Sequence, residues 1–205
     1  MAMMAMESTT RPLYGGMVEL LVPQSMTDVS DHRPVPDHQE VFSDGFTDQS
    51  LIVEIVELAN EVREKGKREA ALWHFKDLAR ANEATEATVS YVDTAFREHM
   101  LSALTPESSV TLLHGIQRVA KHRDDVSAAN EVLICLCEAT LPEHDTEILV
   151  TMNTPLRVSE GSSQFGQIQA PLTEEERERR AAQAVEDFKK IASSLKVADF
   201  RLFGG

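Results

Sequence analysis

The stretch from Glu131 to Leu141 constrains the fold of this chain more than any other. Val132, Ile134 and Leu136 fall on one side of an extended backbone, and Leu133, Cys135 and Cys137 fall on the other. Successive side chains of a strand point to opposite faces, so both faces of this strand are apolar. Thr146 to Asn153 repeats the two-sided pattern. Such strands belong to a sheet covered on both sides. Around them stand further strand candidates: Met17 to Val22, Gln39 to Ser43, Ser50 to Leu58, Glu86 to Val92 and Ser109 to Ala120. Ser50 to Leu58 is rich in β-branched residues, although its length also fits a helix. In Ser109 to Ala120, Val110, Leu112 and Ile116 share a face.

Two segments carry helical spacing. Over Lys67 to Ala81, residues Ala71, Leu72, Phe75, Leu78 and Ala79 recur on one side. Thr173 opens a second helix, in which Thr173 and Glu176 have the spacing of a capping box. Glu175 with Arg179, and Glu176 with Arg180, are spaced for i,i+4 pairs. Ala181, Val185, Phe188, Ala192 and Leu195 form its apolar stripe. Strands joined mainly by turns, with one helix after the third strand and one at the end, predict an α+β fold. Its antiparallel β-sheet is sandwiched between helices.

Residues 1–11 are expected to form a loose tail and 12–205 a single domain, with a flexible loop at about 155–172. The opening Met1 to Met6 is short and lacks a basic flank, so it does not read as a signal peptide. No run approaches the ~20 apolar residues of a membrane span. Two cysteines, Cys135 and Cys137, read as buried thiols, because neighbours on one strand are poorly placed for a disulfide. So few cysteines suit a reducing compartment.

The chain holds 20 Lys+Arg against 34 Asp+Glu, a net charge of −14. That field repels nucleic acid and anionic membranes and attracts a basic protein surface, or serves only solubility. There is no Gly-rich phosphate loop, nucleophile elbow or His-Glu-x-x-His pattern. Gly161-Ser162-Ser163 reads as linker. His32, Asp37 and His38 lie close in a Pro-rich loop without the spacing of a metal site, and His74 reads as a packed or solvated histidine. Neither a metal nor a cofactor is expected, and the chain is expected to be a monomer.

What stands out is acid density: Asp28, Asp31, Asp37, Glu40, Asp44, Asp48, Glu54 and Glu57, interleaved with Arg33, Pro34 and Pro36. A proline-stiffened acidic surface suits docking of a basic partner. The same residues could instead hydrogen-bond within the loop, with Asp28 capping a turn and Asp37 closing another.

Within this region the residues resemble a known family. Leu13-Tyr14-Gly15-Gly16, then Asp28 to Phe42 (DVSDHRPVPDHQEVF), then Asp48 to Glu57 (DQSLIVEIVE) resemble the Ran guanine nucleotide release factors. Trp73-His74-Phe75-Lys76-Asp77-Leu78 is similar to the family's aromatic-His-Phe-x-Asp helix. Asp145-Thr146-Glu147 resembles its Asp-Thr-Asp strand start, with Glu147 where Asp is usual, and Asp199 to Phe203 its closing segment. Met17 replaces the small residue usual after the Gly pair. The resemblance implies a PsbP-like sandwich that binds the GTPase Ran and promotes release of its guanine nucleotide. It implies support of nuclear import from the nucleus and cytoplasm, with no bond-making chemistry. The contact residues it implies are Asp37, Glu40, Glu54 and Glu57, with Asp28 and Arg33 shaping the loop. A strand over Ser50 to Leu58 without a bulge would put Glu54 and Glu57 on opposite faces. The alternative is an adaptor that binds the cytosolic part of a membrane protein such as an ion channel.

Overall fold

A computed structural model describes residues 6–100, 104–119, 129–157 and 172–204. In chain order the described strands and α-helices are β1 (Ser8–Leu13), β2 (Val18–Pro23), β3 (Thr27–Asp28), β4 (Gln39–Ser43), β5 (Ser50–Glu57), α1 (Asn60–Arg63), α2 (Lys67–Ala81), β6 (Ala84–Asp93), β7 (Ser109–Val119), β8 (Asn130–Leu141), β9 (Thr146–Arg157), α3 (Glu174–Ser193) and β10 (Lys196–Val197). Seven strands form one sheet in the order β3-β4-β5-β9-β8-β7-β6, and three form a second in the order β1-β2-β10. The described pairings are antiparallel throughout.

The two-faced strands β8 and β9 lie at the centre of the large sheet, as their composition requires. One face is covered by α2, whose Ala71 and Phe75 meet Leu113 and Ile134. The other meets α3 through Phe188, Ile191 and Ala192, together with Leu13, Val18, Leu20 and Val22 of the small sheet. The second covering layer is therefore mixed, sheet and helix, where helices alone were expected. Cys135 and Cys137 both point into it as free, buried thiols, and burial pushes the Cys135 thiol up to about 12.

Ser8–Leu13 corrects the expected tail. Residues 8–11 are strand, because β2 supplies antiparallel partners from Ser8↔Pro23 to Leu13↔Val18. Pro155, Leu156 and Arg157, expected in the flexible loop, instead continue β9. Most of that loop, Gly161-Ser162-Ser163 included, lies outside the described residues.

The capping box forms as its spacing predicts. Thr173 Oγ1 accepts from the Glu176 N–H at 3.3 Å, and Glu176 Oε2 accepts from the Thr173 N–H at 2.9 Å. The pairing of Glu176 with Arg180 does not: Arg180 donates to the Thr47 carbonyl at 2.7 Å and ties α3 to the β4–β5 hairpin. Arg177, on the next helical position after Glu176, pairs with Glu174 and with Glu131 of β8.

Candidate functional site

The acidic segment is held by local chemistry at each step. Asp28 Oδ1 accepts from the Ser30 N–H at 2.8 Å and caps a 3-10 turn over Val29–Asp31. Val29 anchors that turn: it is buried, and its carbonyl accepts from the N–H groups of His32 and Arg33. Pro34 and Pro36 then fix φ through the exposed stretch, and the Gln39 N–H donates to the Pro36 carbonyl to close the turn into β4. Backbone, not Asp37, closes that turn. Asp37 is exposed and makes no side-chain hydrogen bond or ion pair with another described residue.

Glu40 has a different role. Its Oε1 accepts from the Tyr14 N–H at 2.7 Å. Tyr14, Gly15 and Gly16 turn through left-handed backbone with φ of 50°, 67° and 91°, a conformation for which the two glycines are suited. The Tyr14 hydroxyl donates toward the carbonyls of Val53 (2.8 Å) and His38 (3.0 Å). Burial, then the charges of Glu40 and Glu54, push the Tyr14 hydroxyl well above the usual phenol range. Tyr14 thus clamps the segment after β1 onto the edge of the large sheet, and two separate sequence motifs become one structural unit.

The register of β5 against β9 runs unbroken from Ser50↔Asn153 to Glu57↔Thr146. Without a bulge, Glu54 and Glu57 lie on opposite faces. Glu54 accepts from Gln39 Nε2 at 2.8 Å and lies 3.3 Å from His38 Nε2. Glu57 and Arg33 are exposed. The structure gathers Asp37, His38, Gln39 and Glu54 at one corner of the sheet, with Glu40 turned behind them. Asp28 sits across from Phe42, three residues further along β4. His32, Asp37 and His38 do not gather their donor atoms.

Two features escaped the sequence. Phe46, at the tip of the β4–β5 hairpin, is 89% exposed. Asp44 beneath it is buried and accepts from the N–H groups of Phe46 (2.8 Å) and Thr47 (3.2 Å). The second is a buried polar cluster under α2. His74 Nε2 lies 3.0 Å from Glu147 Oε2, and Glu138 stands beside them. Desolvation, then the charge of Glu147, drive the Glu138 carboxyl up to about 7, against the opposing pull of His74. The available signal was that His74 and Glu147 lie in two of the segments that carry the family resemblance.

This sheet-and-helix architecture defines an α+β sandwich class, and solved structures share it. The Saccharomyces cerevisiae Ran-binding protein Mog1p matches with a TM-score of 0.70 at 22% identity, covering 98% of this chain and 100% of that one. A cyanobacterial PsbP from Synechocystis matches with a TM-score of 0.53 at 15% identity, covering 96% and 94%. A family model described as "Ran-interacting Mog1 protein" spans residues 11–155, and this chain belongs to that family. Similar relatives are the Ran guanine nucleotide release factors of Danio rerio and Homo sapiens. The first is 34% identical over 198 residues, 95% of this chain and 100% of the relative. The second is 35% identical over 194 residues, 94% and 95%. A Saccharomyces cerevisiae nuclear import protein, MOG1, is 29% identical over 161 residues, 73% of this chain and 67% of the relative.

Proposed function

We propose that this chain binds the GTPase Ran through its acidic corner and promotes release of Ran's guanine nucleotide, in support of nuclear import. The names of its relatives point to that partner and to nuclear import. The structural observation that carries the reading is Asp37, an exposed carboxylate in a stiffened turn with no described partner of its own. A charge presented in fixed geometry can be desolvated by a basic partner with little ordering cost. Glu54 and Glu57 extend the acidic surface on opposite faces of β5. Arg33 lies on the exposed approach to Asp37. Glu40 and Asp28 act indirectly, by holding Tyr14 and the Val29 turn. A docked carboxylate would compete for the P-loop lysine or Mg²⁺ that hold nucleotide on a GTPase. Tighter binding of the nucleotide-poor state then shifts the population toward release. The ion-channel adaptor finds no support among the relatives.

The test is dissociation of a fluorescent guanine nucleotide from Ran, followed with increasing amounts of this chain. Release should accelerate and saturate. Asp37→Lys should weaken Ran binding by about tenfold or more with an unchanged melting temperature, whereas Glu174→Lys on the first turn of α3 should leave affinity alone. Unchanged release at saturating chain would falsify the exchange role.

A further inference from the structure

We propose that His74, Glu138 and Glu147 form a buried site for a divalent first-row cation of the zinc class, set between α2 and the centre of the large sheet. The site stands apart from the acidic corner and does not depend on the Ran reading.

The three residues come from α2, β8 and β9. Register places Glu147 opposite Thr140, so Glu138 is its diagonal neighbour across the β8–β9 pair, within reach of long side chains. One ligand atom from each residue lies within 4.8 Å of the others. Zinc–ligand distances of about 2.0–2.2 Å in a tetrahedron place donor atoms roughly 3.3–3.6 Å apart. The His74–Glu147 separation of 3.0 Å is already near that range, and modest side-chain rotation brings in Glu138.

Burial supplies the second, independent observation. His74 is 5% exposed, Glu138 2% and Glu147 0%. Glu138 Oε2 and Glu147 Oε1 are buried oxygens that no donor group reaches; the two carboxyls meet each other, which pairs them only when one holds a proton. Buried acceptors left unmade are costly and call for an explanation. A divalent cation held by Glu138 Oε2 and by Glu147 through both its oxygens, Oε1 and the Oε2 that faces His74, leaves neither carboxyl bare, and with two carboxylates and a neutral imidazole the assembly carries no net charge. Thr140 Oγ1 donates to the remaining Glu138 oxygen at 3.2 Å, the kind of outer contact that orients a ligating carboxylate. Imidazole nitrogen with two carboxylates suits zinc and its neighbours better than the all-oxygen shells of calcium or magnesium. The rival occupant is a proton shared between the two carboxyl groups.

Because Glu147 is fully enclosed, the cation enters before α2 docks, and the experiment must unfold the chain first. The full chain is denatured with chelator, then refolded with Co²⁺, with Zn²⁺ or without metal. Refolding with Co²⁺ should leave one equivalent bound after desalting, with the visible bands of a four- or five-coordinate ion. Zn²⁺ should displace those bands and raise the thermal midpoint above that of the metal-free sample. Glu138→Gln and Glu147→Gln should each lower cobalt occupancy at least tenfold. Should the variants not fold, the native chain still decides by NMR: bound cobalt must shift and broaden His74 more than the other six of the seven histidines. Native chain that refolds without retaining cobalt overturns the site and leaves the cluster to protons. Cobalt that spares His74, or persists in the variants, overturns it equally.

Discussion

On the α3 side of the large sheet, Leu112, Leu133, Cys135, Cys137, Ile148 and Val150 pack against Phe188, Ile191 and Leu195. On the α2 side, Ala71, Phe75, Leu113 and Ile134 share the space with buried His74, Thr111, Gln117, Glu138 and Glu147. The first face stabilises by area removed from water. The second depends on whether each polar group finds its match, as when Gln117 donates to the Phe75 carbonyl at 3.3 Å and accepts from Asn82 at 2.8 Å. One sheet thus has a face where shape dominates and a face where pairing does.

The sharpest way to break that contrast is to injure each face in its own terms. Phe188→Ala, at a fully buried position, should cost about 3–5 kcal/mol in a denaturant titration. A smaller loss would mean that the mixed layer collapses onto the cavity. On the other face, His74→Leu conserves bulk but leaves two carboxyl groups without their imidazole. Breaking a buried pair in this way typically costs about 3–5 kcal/mol. Glu138 can take up a proton in compensation, so about 3 kcal/mol is expected. A stability equal to the parent's would show that the cluster contributes nothing to pairing.

Gly115→Ala separates close approach from chemistry. A methyl there would lie 2.4 Å from the Thr88 carbonyl oxygen and 2.8 Å from Phe75 Cζ. Overpacking of this kind costs about 1–3 kcal/mol; because the nearest atom is β6 backbone, adding Phe75→Leu should restore at most part of the loss, and full restoration would show that α2 alone resists the methyl. The smallest effect is expected at the rim of the fold, in acid. Desolvation raises the Asp44 carboxyl, but hydrogen bonds from Ser25, Phe46 and Thr47 outweigh it and hold it below the usual range. Glu131 is lowered in the same sense, desolvation being outweighed by Arg118 and Arg177. A depressed folded-state value stabilises above the unfolded carboxyl range, about 3.9–4.3. That contribution disappears as pH falls through the folded value. Asp44→Asn should therefore lower the melting temperature at neutral pH, and the gap to the parent should close on acidification. A gap that is constant with pH would assign the loss to geometry instead.

Much of the fold was legible because periodicity survives in single residues. Lys67–Ala81 and Gln39–Ser43 fall at the expected bounds. Ser8–Leu13 was hidden: its sequence STTRPL is mostly polar and includes Pro12, and only β2 makes it a strand. At the candidate surface, alternation separated Glu54 from Glu57, but no spacing could reveal that Glu40 is taken by Tyr14 while Asp37 has no partner among the described residues. The Glu40 assignment depends on a contact across 26 residues. The polar cluster was illegible for the same reason, since positions 74, 138 and 147 meet only after three elements are assembled.

The small sheet carries a consequence for how the chain is made. β2 pairs with β10, and the Leu21 N–H donates to Ser194 Oγ, 173 residues later. At roughly 5–20 residues per second on the ribosome, that contact waits roughly 9–35 s for its partner. Throughout that interval the inner side of β2, with Val18, Leu20 and Val22, lacks the helix that later covers it. The nascent chain should then be a client of chaperones, which shield such surfaces until synthesis brings α3 and β10 within reach.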